Sequence, residues 1–543
     1  MEARVQRIPV LVVGGGVAGL TAALFLAQQG VRTILVERHE TTNVHPRARG
    51  LNGRSMELMR ELGLADAIRL AGEKLAPAIG IHAGESLVSV LAKSGGGGFL
   101  VRRMRARGMR GRESKKSPTS PCRCTQDELE PILLRAARDR GVDARLGTEL
   151  VTFAQDDDGV LATIRDRATS RETNVRAQYM IAADGARSAI RTELGISRSG
   201  SRTFGHQVNV LFRADLAELV RGREFSLCLV ENDAVRGLIA SIDNASTWVI
   251  HISYDRDRES PEDFTRARCE ALVRKAIGKG DLAVEIRGVS PWQSAVRVAE
   301  RFRRGRVFLA GDAAHSMPPW GGLGANTAMQ DVHNLAWKLS LVLAGAADPS
   351  LLDTYEVERM PVARVAGEIS GSMNGDRGLI AIGKGLGIVR TMWSMRRVFP
   401  YLTMGYGYDS FAIVREGRAA GPQTTALDGR PGTRLPHVWI ERDGKRVSTL
   451  DLVRGRFVLF AALDADAWCA EARRAGESLH VTIDVIRLAE HDALGMRAGG
   501  AMLVRPDGIV AWRARRRSAP LTLDDALRKI LGHAITEPLT AAS

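Results

Sequence analysis

The chain opens with a short apolar run, Pro9–Val13, that is followed at once by three consecutive glycines. An apolar run of this length is typical of a buried parallel strand. The segment Val17–Gln29 is long enough for a helix, Gly30 ends it, and Val31–Val36 forms a second apolar run. The pattern predicts a strand, a glycine turn, a helix and a second strand.

The glycines of this unit, Gly14, Gly16 and Gly19, have the spacing G-x-G-x-x-G. In such a unit the first glycine permits a tight turn and the second lets the backbone approach a pyrophosphate, while the third lets the helix pack against the strand. The first backbone N–H groups of the helix, around Val17 and Ala18, then point at the phosphates.

Glu37 ends the second strand, about 20 residues beyond the glycines, where an acidic side chain binds a ribose hydroxyl. The apolar stretch from Ile8 to Gly30 is also a candidate signal peptide or membrane helix. The glycines inside it and the strand after it argue against both. We therefore predict a dinucleotide site, and the unit alone does not distinguish NAD from FAD.

Two further segments pair polar residues with strand or helix ends. Arg47 and Arg49 lie in a loop after Glu37, where arginines either bind a phosphate or form a solvated basic loop. An apolar strand ends at Asp184 and Gly185, a position at which parallel sheets bind ligands. Asp-Gly is also a common turn pair, so simple turn chemistry is the alternative there.

A second glycine-rich unit begins at Arg306, where a buried strand ends in Gly311-Asp312. Pro318 and a run of glycines follow, and then a long helix from Thr327 to Leu343. Such a loop again places free N–H groups at one spot, which suits an anionic ring or a developing negative charge.

The segment from Phe204 to Tyr254 has the alternation of an antiparallel sheet inserted in the nucleotide domain. His206, His251 and Tyr254 fall in this sheet, and a structural role is favoured over a catalytic one for each. After a turn-rich linker, a separate C-terminal α/β unit begins near Gly429 and contains no C-x-x-C motif.

Composition narrows the functional class. The chain carries a net charge of +15 at pH 7, which suggests nucleic acid or an acidic surface. We find no zinc spacing, basic heptad or aromatic-interleaved basic motif, so an arginine-rich solvated surface is favoured. The five cysteines are scattered and odd in number, which indicates a reduced, cytoplasmic protein. We predict no metal site, no nucleic-acid partner and no membrane span.

The ordered set Gly14-x-Gly16-x-x-Gly19, Asp184-Gly185 and Gly311-Asp312 with Pro318 closely resembles the class A FAD-dependent aromatic hydroxylases, typified by p-hydroxybenzoate hydroxylase and phenol hydroxylase. The resemblance covers roughly residues 8–364. The segment Gly321–Lys338 is most similar to the hydroxylases of aromatic polyketides of the anthracycline and angucycline type. Arg430–His437 and Ser448–Leu452 are similar to the thioredoxin-like C-terminal domain of that subgroup, which lacks working cysteines.

The resemblance implies an α/β fold with three parts. A Rossmann-like FAD-binding domain is expected over residues 1–75, 100–185 and 290–400, and an inserted antiparallel-sheet substrate domain over 76–99 and 186–289. A linker over 401–428 and a thioredoxin-like domain over 429–543 complete the chain, as a monomer or homodimer.

The resemblance also implies a set of cofactor-binding residues. The glycine turn meets the FAD pyrophosphate, the early loop contacts FAD through arginine, and the second loop lies beside the flavin ring. Trp320 departs from the smaller residue common in the family and is expected to wall the ring cavity. The FAD-binding residues so implied are Gly14, Gly16, Val17, Ala18, Gly19, Glu37, Arg38, Arg47, Arg49, Gln126, Asp184, Gly185, Gly311, Asp312, Pro318, Gly324, Ala325 and Asn326.

The implied activity is monooxygenation of a phenolic polycyclic aromatic compound. NADPH or NADH reduces FAD, O₂ adds to give a C4a-hydroperoxyflavin, and one oxygen atom passes to the ring. No catalytic side chain is implied with certainty. Baeyer–Villiger oxygenation and oxidative inactivation of an aromatic antibiotic by the same flavin are the alternatives. A non-enzymatic flavin or nucleic-acid binder is the least favoured interpretation.

Overall fold

A computed structural model describes residues 5–73, 75, 80–93, 116–200, 203–375, 378–380, 406–417, 427–489, 492–516, 519 and 521–535. Parts of the predicted substrate domain (76–79, 94–99 and 201–202) and half of the predicted linker (401–405 and 418–426) lie outside the described residues. No helix within these described ranges combines the length and apolar character needed to cross a membrane.

The strands are numbered in chain order. They are β1 (Gln6–Val13), β2 (Thr33–Glu37), β3 (Ile81–Gly84), β4 (Asp143–Leu146), β5 (Thr148–Asp156), β6 (Gly159–Asp166), β7 (Glu172–Ala182), β8 (Arg198–Ser199), β9 (Thr203–Arg213), β10 (Leu227–Glu231), β11 (Arg236–Ser241), β12 (Thr247–Tyr254), β13 (Glu285–Ala295), β14 (Arg297–Ala299), β15 (Arg303–Arg304), β16 (Val307–Leu309), β17 (His315–Ser316), β18 (Trp439–Arg442), β19 (Lys445–Ser448), β20 (Phe457–Ala462), β21 (Ile483–Leu488), β22 (Ala501–Val504) and β23 (Val510–Ala514).

The α-helices are numbered in the same way. They are α1 (Val17–Gln28), α2 (Gly53–Glu61), α3 (Ala65–Gly72), α4 (Leu87–Lys93), α5 (Gln126–Asp139), α6 (Ala189–Glu193), α7 (Ala217–Val220), α8 (Arg266–Ile277), α9 (Gly324–Leu343), α10 (Thr354–Ser372), α11 (Asp466–Ser478) and α12 (Leu523–Ile530).

The first sheet has the order β15-β16-β7-β1-β2-β4 and is parallel from β16 to β4. The apolar run predicted as a buried strand forms the second half of β1. Its residues Val10, Leu11 and Val12 are fully buried. Helices α1, α5 and α9 pack beside this sheet, with α1 against both of the others. The predicted strand, turn, helix and strand at the N-terminus are confirmed.

The second sheet has the order β13-β9-β12-β11-β10-β3 and is antiparallel except where β10 meets β3. The alternation of this segment puts one side of the sheet against α4 and α8, in a cluster that contains Trp248 and Phe225. Its other side carries Leu238, which packs in a cluster with Trp320 from the glycine-rich loop. The sheet therefore lies over that loop.

The C-terminal part contains a sheet of order β21-β20-β22-β23, flanked by α11 and α12. Two residues of the turn between β22 and β23 form a buried charge cluster with residues of α9 and α10. Arg505 donates to Glu358 on α10 at 2.7 Å and to Asp507 at 2.6 Å, and Lys338 on α9 donates to Glu358 at 2.8 Å. These four side chains are at most 2% exposed. Ion pairs without access to water hold this unit against α9 and α10.

Candidate functional site

The first glycine turn is shaped by contacts within the protein. Gly14 has a φ of +112°, and a Cβ there would lie 2.2 Å from the carbonyl oxygen of Ala183. A Cβ on Gly19 would lie 1.8 Å from the carbonyl oxygen of Gly14. These two glycines therefore permit the tight turn and the close packing of α1 on β1, as predicted.

Gly16 is different, because the protein leaves room for a side chain there. A Cβ on Gly16 would have the Oε1 of Glu130, 3.7 Å away, as its nearest neighbour, which is ordinary contact distance. Gly16 is the N-cap of α1, whose first N–H groups have no partner within the helix, and the carboxylate of Glu130 lies beside the N–H of Val17. Packing inside the protein does not explain this glycine, whereas the close approach of a phosphate would.

Glu37 lies beside the same turn at the end of β2. Its Oε2 accepts a hydrogen bond from the N–H of Gly15 at 2.6 Å, and its Oε1 accepts one from the N–H of His39 at 3.0 Å. The carboxylate is thus fixed at the edge of the glycine turn. Arg38 contributes its carbonyl, which accepts from Arg167 at 2.9 Å.

The arginine loop bridges the two sheets. Arg47 is exposed and donates to the Oγ of Ser290 on β13 at 3.1 Å. Arg49 is half-buried and donates to the carbonyl oxygens of Ser241 at 2.9 Å and Ser226 at 3.3 Å. Burial lowers the pKa of Arg49 to about 10. The guanidinium predicted to contact FAD therefore engages the second sheet.

Gln126 begins α5 and joins the arginine loop to the glycine turn. Its backbone N–H donates to the carbonyl of Arg47 at 2.9 Å, and its side chain donates to Oε1 of Glu130 at 2.6 Å. The other oxygen of Glu130 accepts from the N–H of Asn43 at 2.9 Å. Burial raises the pKa of Glu130. Sequence reasoning missed Glu130, although its spacing of four residues from Gln126 on a helix was a usable signal.

Asp184 and Gly185 follow β7, next to the turn at Gly14. Gly185 has a φ of +84°, so the turn chemistry proposed for Asp-Gly is present. Asp184 Oδ2 accepts from the N–H of Ile190 at 3.3 Å. Its buried Oδ1 has no hydrogen-bond partner among the described residues, and burial raises the pKa of this carboxyl group. An orphaned oxygen at a strand end suits a ligand hydroxyl.

The second glycine-rich loop reaches the first through Gly311. A Cβ on Gly311, where φ is +59°, would lie 2.9 Å from the Cβ of Ala18 and 3.1 Å from that of Ala328. The side chain of Asp312 is exposed, yet enough protein surrounds it that burial raises its pKa, with His315 and Arg47 opposing the shift. Asp312 therefore lies in a cleft, and Arg47 lies near it.

The rest of this loop closes the cleft. Asn326, in the first turn of α9, donates to the carbonyl of Gly50 at 3.1 Å and accepts from the N–H of Asn52 at 2.9 Å. Gly324 and Ala325 precede it at the start of α9 and are half-buried. The carbonyl of Pro318 accepts from Ser370 at 2.6 Å.

The predicted site residues thus come from separate stretches of sequence that contact one another. Contacts link β1 to β7 through Gly14, α1 to the second loop through Gly311, and that loop to the arginine loop through Asn326.

Comparison with known proteins fits this geometry. Residues 7–369 match the family described as "FAD binding domain", and residues 428–534 match "Aromatic-ring hydroxylase, C-terminal". The protein belongs to the FAD-dependent aromatic-ring hydroxylases. Like its relatives in this family, it is a flavoprotein monooxygenase.

Relatives match along nearly the whole chain. A putative polyketide hydroxylase of Streptomyces halstedii is 42% identical over 97% of each chain. Aklavinone 12-hydroxylase of Streptomyces purpurascens is 38% identical, over 97% of this chain and 99% of its own. The crystal structure of aklavinone-11 hydroxylase with FAD and aklavinone is similar with a TM-score of 0.82 and 35% identity, over 98% of this chain and 100% of that one.

This aromatic-ring hydroxylase has a cleft whose residues fit FAD. The room at Gly16, the orphaned oxygen of Asp184 and the accessible carboxylate of Asp312 each lack an explanation in protein packing. A helix N-terminus next to arginine side chains suits a pyrophosphate. Acidic side chains at strand ends suit the hydroxyls of ribose and ribityl groups.

A buried carboxylate that the sequence analysis did not single out holds the second loop in place. Asp331 on α9 accepts from Nε2 of His315 at 2.6 Å, from the N–H of Gly311 at 3.3 Å and from Nε of Arg359 at 2.8 Å. Arg359 on α10 in turn donates to the hydroxyl of Tyr408 at 2.8 Å. Burial opposes ionisation of Asp331, but His315 and Arg359 outweigh it and lower its pKa.

The three candidate residues of the second sheet, His206, His251 and Tyr254, do not lie together in the structure. His206 and Tyr254 are paired in register and pack against each other with ring centroids 5.8 Å apart, and Tyr254 belongs to the cluster that packs against α4 and α8. His251 instead lies with its ring centroid 6.2 Å from that of Trp320 in the loop. Trp320 is buried and donates to Asn374 at 2.8 Å.

Replacement of Asp331 by asparagine is expected to reduce the free energy of unfolding by about 3–5 kcal/mol, because it leaves Arg359 buried without its counter-charge. The lowered pKa of Asp331 supplies stability above the unfolded pKa of about 4, and that stability is lost as the pH falls. The difference between wild type and Asp331→Asn should therefore be constant above about pH 5 and shrink below pH 4. Urea unfolding across this range measures it.

The matched control is Glu218→Gln, which neutralises an exposed carboxylate paired with Arg221. This variant should unfold like the wild type at every pH, because exposed ion pairs contribute little. An Asp331→Asn protein as stable as the wild type at pH 7 would contradict the proposed importance of the buried pair.

Proposed function

We propose that this monooxygenase hydroxylates a phenolic polycyclic aromatic compound of the polyketide type, with NADPH or NADH as the reductant and O₂ as the oxygen source. The observation that carries the proposal is the apolar wall between the second sheet and the glycine-rich loop. Leu238, Trp292, Met317, Trp320 and Leu323 belong to one cluster there. A flat aromatic substrate matches such a wall. The names of the hydroxylases similar to this chain support the same substrate class.

Each part of the cleft has a proposed role toward FAD. Gly14, Gly16 and Gly19 with the N-terminus of α1 bind the pyrophosphate, and Glu37 binds the adenosine ribose. Asp184 and Asp312 bind hydroxyls of the cofactor. Further proposed contacts come from Val17, Ala18, Arg38, Arg47, Arg49, Gln126, Gly185, Gly311, Pro318, Gly324, Ala325 and Asn326.

Bound FAD would supply the redox chemistry, taking electrons from the nicotinamide and activating O₂. The protein contributes orientation, water exclusion and charge. Trp320 and Trp292 exclude water from one side of the substrate, and the guanidinium groups of Arg47 and Arg49 supply positive charge next to the second sheet. No side chain needs to be the oxidant.

We also propose the expected division of the chain. The second sheet binds the substrate, and the C-terminal unit is thioredoxin-like without redox function. The only cysteine of residues 429–543 is Cys469, which is buried and free, so this unit has no pair of thiols to oxidise.

Replacement of Gly16 by alanine tests the assignment of the pyrophosphate site. The protein has room for the added Cβ, so the free energy of unfolding of the FAD-free protein should change by less than about 1 kcal/mol. The same Cβ occupies the space proposed for the phosphates, so the Kd for FAD should rise at least about tenfold. Titration of the FAD-free protein with FAD, followed by flavin fluorescence, measures this.

Gly280→Ala is the matched control, because a Cβ there meets no atom within 4 Å, so the protein has room for it as at Gly16, and the position lies in a loop after α8. Its Kd for FAD should equal that of the wild type. FAD binding by Gly16→Ala that is as tight as wild-type binding would show that the pyrophosphate lies elsewhere.

The reaction is tested with the purified protein and a panel of hydroxyanthraquinones. We expect an oxidised-flavin absorption spectrum, faster NADPH oxidation when a substrate is present, and a product that gains one oxygen atom. NMR of the product separates ring hydroxylation from Baeyer–Villiger insertion, which would give a lactone. Absence of flavin even after FAD is added would overturn the proposal, and so would tight, salt-sensitive DNA binding by a flavin-free protein.

A further inference from the structure

One row of side chains on the second sheet faces the arginine loop and the glycine-rich loop. The register pairs Leu238 with His251, His251 with Asn209, and Asn209 with Ser290 across four neighbouring strands. Directly paired residues of antiparallel strands point to the same face of a sheet. Ser290 accepts from Arg47 of the arginine loop. This face is therefore turned toward the proposed FAD cleft.

His251 is the residue of this row that carries a titratable ring next to the aromatic wall. Its ring meets Trp292 edge-on, with centroids 5.9 Å apart, and meets Trp320 edge-on at 6.2 Å. The residue is only half-buried. The half-buried polar ring therefore lies between two indole rings.

The hydrogen bonds of Asn209 determine which nitrogen of His251 carries the proton. The indole Nε1 of Trp292, which can only donate, lies 2.5 Å from Oδ1 of Asn209. The same oxygen lies 2.5 Å from Nδ1 of His251. An amide oxygen only accepts, so Nδ1 of His251 must be the donor. In the neutral ring Nε2 then keeps its lone pair and is a hydrogen-bond acceptor.

The charges around His251 keep its ring neutral. Burial lowers the pKa of His251 to about 3, and the positive charges of Arg49, His45 and Arg47 add to the shift. Such a weak base does not remove the proton of a phenol, whose pKa is near 10. The described residues give Nε2 no hydrogen-bond partner. The role available to this nitrogen is therefore to orient a donor.

We propose that Nε2 of His251 accepts a hydrogen bond from a ring hydroxyl of the aromatic substrate and selects substrates that carry this hydroxyl. Asn209 and Trp292 are positioning residues, because they fix the tautomer in which Nε2 is the acceptor. A site with a desolvated acceptor discriminates against an analogue without the matching donor. The proposal rests on the proposed function and names the group by which the site recognises a phenol.

The test compares equilibrium binding of two probes, 2-hydroxyanthraquinone and 2-methoxyanthraquinone, to the FAD-loaded protein without reductant. Calorimetry gives both dissociation constants. The wild type should bind the hydroxyl compound about tenfold or more tightly than the methyl ether. His251→Phe keeps the ring but removes the acceptor, so it should bind both probes with the affinity that the wild type has for the ether.

Two further comparisons separate recognition from a merely structural effect. Asn209→Leu removes the acceptor for Nδ1 and should reduce the preference. His206→Phe, which alters a histidine elsewhere on the same sheet, should leave the preference unchanged.

Equal binding of the two probes by the wild type, failure to bind the hydroxyl compound, or a preference that survives in His251→Phe would overturn the proposal. These outcomes are distinct from a failure of the proposed function. If the wild type oxygenates the substrate but its hydroxyl preference does not depend on His251, only the role of His251 is refuted. If the wild type fails to bind flavin or to oxidise NADPH, the proposed function itself is refuted.

Discussion

The carboxylate of Asp331 is the interaction on which the geometry of the cleft depends. It is completely buried and binds at once the loop that carries Gly311, the ring of His315 and the guanidinium of Arg359. A buried charge of this kind is tolerated only when every partner is in place. The position of the Gly311-Asp312 loop is therefore coupled to the packing of α9 on α10.

The coupling continues into the C-terminal unit. Arg359 reaches Tyr408, whose backbone N–H donates to the carbonyl of Gly432 at 2.7 Å. The neighbouring residue on α10, Glu358, accepts from both Lys338 and Arg505. Burial, together with the charge of Arg505, lowers the pKa of Lys338 to about 8, even though Glu358 opposes the shift. A unit that contributes no residue to the proposed cofactor contacts thus supports the elements that do.

Sequence reasoning predicted the parts of the site that depend on short-range pattern. The turn at Gly14, the close contact at Gly19 and a strand that ends shortly before Asp184 follow from spacing and local sterics, and the structure contains each of them. The approach of Gly311 to Ala18 was not deducible, because it joins residues almost 300 positions apart.

The features that sequence reasoning did not predict share a dependence on tertiary contacts. His251 acquires its neutral ring and its tautomer from Asn209, Trp292 and the arginine loop, none of which is near it in sequence. Asp331 stands in a helical stretch where an acidic residue usually marks a solvated face. The direction of Arg49, toward carbonyls of the second sheet, likewise required the fold. The sequence pattern shows which residue types are present, but their burial and their hydrogen-bond and ion-pair partners determine their chemistry.

The central claim, that FAD in this cleft transfers oxygen from O₂ to an aromatic ring held against the second sheet, is tested most directly by isotope labelling. The FAD-loaded protein is incubated with NADPH, a hydroxyanthraquinone substrate and ¹⁸O₂, and the product is analysed by mass spectrometry and NMR. The account predicts one ¹⁸O atom in a new ring hydroxyl. A product whose new oxygen is unlabelled, and so derives from water, would contradict it.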